Sequence, residues 1–597
     1  MGKKRVKFMC TAFRDGFQSV FGARVFTKDF LPAVESAVDA GIDYFEAGGG
    51  ARFQSPYFYC NEDAFDMMDQ FRKVAGQNVT LQSLARGVNV VGLESQPSDI
   101  IKLHAELFKK HGIDTIRNFD ALNDVNNLIY SGRCISEAGL KHQVCVTLME
   151  LPPGCKGSHD SEFYIRMLKD ILDAGIPYDS VCFKDASGTA VPSKVYETIK
   201  ESRKFLPEGT FIHFHTHETA GCGVISNQAA LDAGADAIDL SLAPVSGGTC
   251  QPDVIVMWHA LRGSKYDLGI DVDKIRATEE VFKECMKDYF LPPEATAVEP
   301  LIPWSPMPGG ALTANTQMMR DNNIMDKYPQ MIKAMKEVVE RGGFGTSVTP
   351  VSQFYVQQAL NNVMFGKWKK IVPAYGQMVL GYFGKTPVEP DPVIIKIARE
   401  QLGMEPTTKT VLEINDADSS KGVSAARKIL EKENLKVTDE NIFIVATCKD
   451  KGVNFLKGEG KIGVRKNVQE SAESSVGKSD AYTVSVDGTN YAMKFDGDSV
   501  FVNGKKHKVR IKEGIEEGSL VVQGEGTPVC ASMPGTIWKI ETTEGAQIKV
   551  GENVVILESM KMEIPVGAPV DGKINQIVVN QGQRVASGDV LAYIEDH

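Results

Sequence analysis

Eight short runs rich in β-branched and aromatic residues, each followed by an amphipathic helical stretch, occupy residues 6 to 262. This alternation constrains the fold more than any other feature of the chain. The runs are VKFMCTAF, DYFEAGG, VTLQSLA, TIRNFDAL, QVCVTLME, SVCFKDA, FIHFHTHE and AIDLSLAP; between them lie patterns such as KDFLPAVESAVDAG, EFYIRMLKDILDAG and ISNQAALDAGA. Four of the helices finish in Ala-Gly (Ala40-Gly41, Ala138-Gly139, Ala174-Gly175 and Ala233-Gly234), where the glycine supplies the left-handed cap that stops a helix abruptly. Eight such units in about 255 residues fit an α/β fold, a (β/α)8 TIM barrel. A doubly wound open sheet is the competing arrangement, and the lack of a nucleotide-binding glycine fingerprint weighs against it.

Beyond this barrel core (residues 1–265) the chain changes character. Residues 266–405 are helical and rich in Met and Pro, and read as an annex over the barrel mouth. Residues 406–475 read as a small α/β segment, with SAARKILEKENL helical and NIFIVATC a strand. Residues 476–525 read as β-hairpins around Asp487-Gly488, Asp496-Gly497 and Asn503-Gly504, which are type I′ turn signals; they suit an association or docking role. The last domain, 526–597, contains an internal repeat. GTIWKIETTEGAQIKVGENVVILE (535–558) aligns without gaps on GKINQIVVNQGQRVASGDVLAYIE (572–595), an offset of 37. Two copies of a four-strand unit predict a small flattened all-β barrel with a pseudo-twofold axis. The connector SMKMEIPVGAPVD begins with a turn that displays Lys561.

Composition narrows the function classes. A net charge of −11 argues against a general binder of nucleic acid or of anionic membranes. No apolar run reaches the roughly 18 residues of a membrane span, and the basic start MGKKRVKFMCTAFRDG lacks the apolar core of a signal peptide. The eleven cysteines are scattered, with no CxxC pair, which suits reduced thiols in the cytoplasm.

The candidate site starts from FIHFHTHETAG. On a strand, residues two apart share a face, so His215 and His217 project together into the barrel end, with His213 one layer deeper as a hydrogen-bonded core residue. Neutral imidazoles are good ligands for a divalent ion, although HTH alone fits a metal-free polar interior equally well. Asp15 closes the first strand and Lys184 the sixth, at the C-terminal ends where barrel enzymes keep their chemistry. A protonated lysine beside a divalent cation would be repelled. A carbamate on Lys184 removes that conflict, and a rim ion pair with Asp185 is the alternative.

Two resemblances then bear on function. The duplicated domain, with Met533-Pro534-Gly535 and Met560-Lys561-Met562, resembles the biotinyl domain of biotin-dependent carboxylases. A lipoyl domain shares that fold but typically carries Asp-Lys-Ala at its turn. Across residues 6–405, FRDGFQS, RGVN, FDALND, FKDASG, HTHETAG, SGGTCQP, MPGG and TSVTPVSQ resemble the carboxyltransferase domain of the pyruvate carboxylase, oxaloacetate decarboxylase α-subunit and transcarboxylase family. A Claisen-type acyl-CoA synthase or lyase barrel shares RDG.Q and His-x-His, but not FKDASG or the Met-Lys-Met turn.

The likeness implies that Lys561 carries covalent biotin. It implies that Asp15, carboxylated Lys184, His215 and His217 bind a divalent metal, zinc first, with manganese or cobalt as alternatives. By the same likeness Gln18 and Arg86 hold a 2-oxo acid, and Thr349 relays a proton between the substrate methyl and the biotin nitrogen. The implied activity moves a carboxyl group between carboxybiotin and a 2-oxo acid, pyruvate to oxaloacetate. Run backwards it decarboxylates oxaloacetate. No ATP-binding carboxylase region is recognisable, so a separate biotin carboxylase subunit and a biotin protein ligase are the expected partners, with a homo-oligomer expected. A membrane partner belongs only to a sodium-pumping decarboxylase reading. The chain departs from the family pattern at Phe17, Arg52 and Cys250. Arg52 is expected either to meet a second substrate carboxylate, favouring 2-oxoglutarate, or to lie on the surface.

Overall fold

The computed structural model describes residues 3–467, 481–486, 489–496, 499–502, 505–508, 526–559 and 562–596. They fall into two compact units that divide at Lys466 and Asn467.

In the first unit eight parallel strands close into a barrel in sequential order. They are β1 (Lys7–Cys10), β2 (Tyr44–Glu46), β3 (Thr80–Ala85), β4 (Thr115–Phe119), β5 (Lys141–Thr147), β6 (Ser180–Asp185), β7 (Phe211–Thr216) and β8 (Ala237–Leu240). All eight runs foreseen in the sequence form strands. The four Ala-Gly signals end helices with φ between 64° and 108° at the glycine. Neighbour pairing sets the layers: Thr147 stands opposite Lys184, and Lys184 opposite His215.

The annex contains the helices Gly309–Asp321, Tyr328–Arg341 and Val351–Phe365, and it meets the barrel at two places. A Cβ on Gly309 would stand 1.6 Å from the Thr249 carbonyl oxygen. The MPGG run therefore lets a helix start directly against the loop after β8. On the other side of the mouth, Thr346 N donates to Ala121 O (2.8 Å) and the Thr147 hydroxyl meets the Thr346 hydroxyl (3.0 Å).

Residues 406–467 correct the α/β expectation. NIFIVATC is helical, inside Asp439–Leu456, which breaks at Lys449. Ile442, Phe443, Ile444, Val445, Thr447 and Cys448 are all buried, so no apolar stripe marks a helical period. Phe443 packs against Phe53, Phe65, Phe108 and His104. Full burial of such a ring stabilises by roughly 2–3 kcal/mol, and it fastens this segment to the barrel.

In the second unit the run from 481 forms a four-stranded antiparallel meander: β9 (Ala481–Val486), β10 (Thr489–Asp496), β11 (Ser499–Val502) and β12 (Lys505–Lys508). Gly488, Gly497 and Gly504, with the rest of each expected turn apart from Asp496, lie outside the described residues. The last domain comprises β13 (Thr527–Cys530), β14 (Gly535–Ile540), β15 (Gln547–Ile548), β16 (Asn553–Ser559), β17 (Met562–Gly567), β18 (Gly572–Ile577), β19 (Arg584–Val585) and β20 (Val590–Asp596), in two four-stranded sheets. The 37-residue offset reappears in the hydrogen bonding. Gly545 N donates to Ile574 O (2.7 Å) and Gly582 N to Ile537 O (2.8 Å), while Gly551 N donates to Ala568 O and Gly588 N to Ala531 O. Each copy lends a short strand to the other copy's sheet: β15 pairs with β18, and β19 with β14.

Candidate active site at the barrel mouth

Asp15, His215 and His217 present ligand atoms that all lie within 4.8 Å of one another, and all three residues are buried. Asp15 follows β1, the two histidines belong to β7 and its end, and Lys184 belongs to β6. Asp15 Oδ2 is 3.4 Å from His215 Nε2 and 3.3 Å from His217 Nε2. The two Nε2 atoms are 3.1 Å apart, and Lys184 Nζ is 2.8 Å from that of His215. Lys184 thus turns towards the histidines. Asp185 turns away and accepts from Ser187, Thr189 N, Ala190 N and Thr216, so the alternative of a Lys184–Asp185 rim pair does not form.

The local field is strong. Burial pushes the Asp15 carboxyl up, but Arg14, His217 and Lys184 outweigh it and hold it well below the usual carboxylate range. Burial lowers the Lys184 ammonium, against the raising effect of Asp15 and with help from Arg117 and Arg14. Burial and the neighbouring Lys184 hold His215 far below an ordinary imidazole, the direction of a neutral ligand.

Gln18 and Arg86 adjoin this group. Gln18 Oε1 accepts from Arg14 Nη1 (3.1 Å), and Arg14 Nη1 is 3.3 Å from Asp15 Oδ1. A Cβ on Gly50 would stand 3.2 Å from Arg86 Nη2 and 3.3 Å from Gln18 Oε1. Arg86 Nη1 is anchored on Val91 O and Gly92 O, and burial, with Arg14 nearby, pushes its guanidinium down to about 9. Thr349 is partly exposed, just before helix Val351–Phe365. Its loop rests on the ends of β4 and β5, while its hydroxyl makes no side-chain hydrogen bond to the histidine cluster. Lys561 lies outside the described residues; the strands before and after it pair through Ser559 and Met562.

Arg52 corrects the expectation of a surface residue. It is fully buried, donates from Nη1 to Ala23 O (2.9 Å) and Val25 O (2.7 Å), and lies over the rings of Phe17 and Phe30. It therefore does not face solvent, and its Nε and Nη2 are buried without a hydrogen-bond partner. Two departures from the family pattern, Phe17 and Arg52, pack on each other. The third, Cys250, points its thiol at Gln251 Oε1.

Several site residues went unassigned in the sequence. Glu46, at the end of β2, pairs with Arg14 and leaves Oε2 buried without a partner. Gln251 donates from Nε2 to Asp15 Oδ2 and His217 Nε2, both at 2.9 Å. Asp239 stands behind His215 (Nδ1–Oδ2 2.6 Å). Their signal was a polar residue at an inward position of an otherwise apolar strand (Glu46, Asp239) or inside the SGGTCQP run (Gln251).

Comparison with known proteins fits these two parts. Residues 302–494 match the conserved carboxylase domain family, 118–282 the HMGL-like family and 527–594 the biotin-requiring enzyme family. A pyruvate carboxylase subunit from Methanocaldococcus jannaschii is 30% identical over 567 residues, covering 93% of this chain and 94% of that protein. The chain belongs to the biotin-dependent carboxyltransferase family. The methylmalonyl-CoA carboxyltransferase 5S subunit of Propionibacterium freudenreichii is 28% identical over 72% of this chain and 84% of its own length. The 2-oxoglutarate carboxylase large subunit of Hydrogenobacter thermophilus is 27% identical, over 94% and 90% respectively. The carboxyl transferase domain of Rhizobium etli pyruvate carboxylase shares the fold of this family member, with a TM-score of 0.69 at 23% identity over 85% of this chain and 89% of that one. Among the described residues no helix is long and apolar enough to cross a membrane.

Proposed function

We propose that this chain is the carboxyltransferase and biotin-carrier component of a two-component pyruvate carboxylase, served in the cytoplasm by a separate ATP-dependent biotin carboxylase. The observation that carries this reading is the pairing, in one chain, of a duplicated biotin-type domain with a buried Asp/His/His cluster beside a lysine amine.

The donor set fits a divalent cation. Both Nδ1 atoms are engaged, by Asp239 and by Thr249 O, so both Nε2 atoms turn towards Asp15, where Lys184 and Gln251 meet them. Asp15, His215, His217 and Lys184 would hold the ion, with zinc first among the candidates. When bound it supplies positive charge opposite a substrate oxygen. Burial favours the neutral amine of Lys184, which adds CO2 with loss of a proton to become an anionic ligand. Biotin on Lys561 supplies the transferable carboxyl group.

Arg86 binds the substrate carboxylate and Gln18 orients the 2-oxo group. The Thr349 hydroxyl moves a proton between the substrate methyl and the carrier's ring nitrogen. Arg52 Nη1 is spent on the Ala23 and Val25 carbonyls and its guanidinium packs on Phe17 and Phe30, and we take pyruvate as the first acceptor to test against 2-oxoglutarate. The same residues serve decarboxylation of oxaloacetate, and ATP-dependent oxaloacetate formation with the carboxylase partner added separates the two directions.

The test is transfer of label from bicarbonate to pyruvate or 2-oxoglutarate by wild type and Thr349→Ala. Pyruvate is expected to be the better acceptor, and the variant to lose about 10²-fold or more in rate with biotin content unchanged. Transfer within twofold of wild type would remove Thr349 from the reaction, and faster 2-oxoglutarate turnover would overturn the substrate assignment.

A further inference from the structure

We propose that Asp239 is a positioning residue of the histidine cluster: its carboxylate, anchored by Arg117, holds His215 as the Nδ1–H tautomer and so turns the Nε2 lone pair towards Lys184, Asp15 and His217. The metal consequence rests on the reading above; the tautomer does not.

The geometry fixes the proton from both ends. On one side His215 Nδ1 is 2.6 Å from Asp239 Oδ2, a pure acceptor when ionised. Arg117 Nη1 also lies near Nδ1, but at 3.4 Å. A donor at that distance competes poorly with a charged acceptor 0.8 Å closer. On the other side the nearest group to Nε2 is Lys184 Nζ at 2.8 Å, a donor, ahead of His217 Nε2 at 3.1 Å and Asp15 Oδ2 at 3.4 Å. The shortest contact on each side of the ring thus favours the proton on Nδ1.

Asp239 is itself paired with a buried guanidinium. Arg117 Nη1 donates to Oδ2 at 2.5 Å, and Nη2 reaches Oδ1 at 3.4 Å. Arg117 Nε is fixed in turn by Gln143 Oε1 at 2.6 Å. His213 Nε2 stands 2.5 Å from Oδ1, close in distance though not aligned as a hydrogen bond. This accounts for the third histidine of HFHTH, which backs the carboxylate one layer below the cluster.

His217 shows why the carboxylate matters. Its Nδ1 meets the neutral Thr249 carbonyl at 2.7 Å, so its tautomer is fixed without a charge. His215 alone has an anion behind it, and an anionic partner strengthens the opposite nitrogen as a donor to metal.

The test uses full-length protein labelled with ¹⁵N-histidine. Long-range ¹H–¹⁵N spectra of the wild type are expected to place the His215 proton on Nδ1; a proton on Nε2 overturns the proposal whether or not any variant folds. Asp239→Asn, whose amide can donate to Nδ1, is expected to shift that proton to Nε2. It should also weaken Co(II) binding about 10- to 100-fold and alter the Co(II) absorption bands, with Asp239→Glu recovering part of the loss. Co(II) affinity within twofold of wild type with unchanged bands also overturns it. Failure of the wild type to bind Co(II) would count against the metal reading, leaving the tautomer measurement to decide the role of Asp239.

Discussion

The barrel mouth and the C-terminal domain are assembled in opposite ways. In the C-terminal domain one local pattern is written twice, and residues 37 apart make the same hydrogen bonds in two linked sheets. At the barrel mouth nothing repeats. The candidate ligands come from positions 15, 184, 215 and 217, on or just after three different strands, and their orienting partners from 239, 249 and 251. At the mouth each side chain has several partners, so one change is felt by all.

The largest effect separates the two regions outright. Lys561→Ala is expected to abolish the avidin signal and the biotin mass increment, and with them all transfer, while the melting of the barrel stays as in wild type. Biotin found on another lysine would break the assignment.

Gly309→Ala tests the close approach at the mouth. The added methyl meets Thr249 O, the acceptor for His217, so the helix start has to move, costing about 2–3 kcal/mol and lowering metal content. An unchanged melting temperature would show that the approach is not tight.

Asp120 gives the mouth a pH signature. Burial and nearby Asp124 push its carboxyl up to about 7 despite hydrogen bonds from Asn127, Leu122 N and Asp124 N. The folded value lies above the unfolded one, so folding takes up a proton. This contribution is complete below about pH 4 and is lost as pH rises through 7. Asp120→Asn should therefore gain stability relative to wild type between pH 5 and 8, in paired thermal melts. A difference independent of pH would contradict it.

The smallest effect tests the pseudo-symmetry. Gly551 and Gly588 have φ of 86° and 92°, with open space where a Cβ would stand. Alanine at either should cost about 1 kcal/mol, equally to within a few tenths. Clearly unequal losses in denaturant melts would mean that the two copies are not equivalent.

Much of this protein was legible because the deciding signals are short-ranged. A period of two with helices between strands, Ala-Gly stops and a gapless repeat do not depend on distant residues, and they predicted the barrel and the all-β end domain. His215, His217, Asp15 and Lys184 stood out because strand ends in a barrel converge on one rim. NIFIVATC misled because a helix buried on all sides shows no stripe, and Arg52 because its environment is made by Phe17, Phe30, Ala23 and Val25 rather than by its neighbours in the chain.

By itself the order of residues determined which elements form and which chemical groups reach the barrel rim. Only the folded chain decided which of those groups face one another: that Lys184 turns to His215 rather than Asp185, that Asp239 backs one histidine and Thr249 the other, and that Arg52 is buried over Phe17 and Phe30. Backbone periodicity is a local property, whereas the partner of a buried charge is whichever opposite group the packing brings within about 3 Å, often from far along the chain.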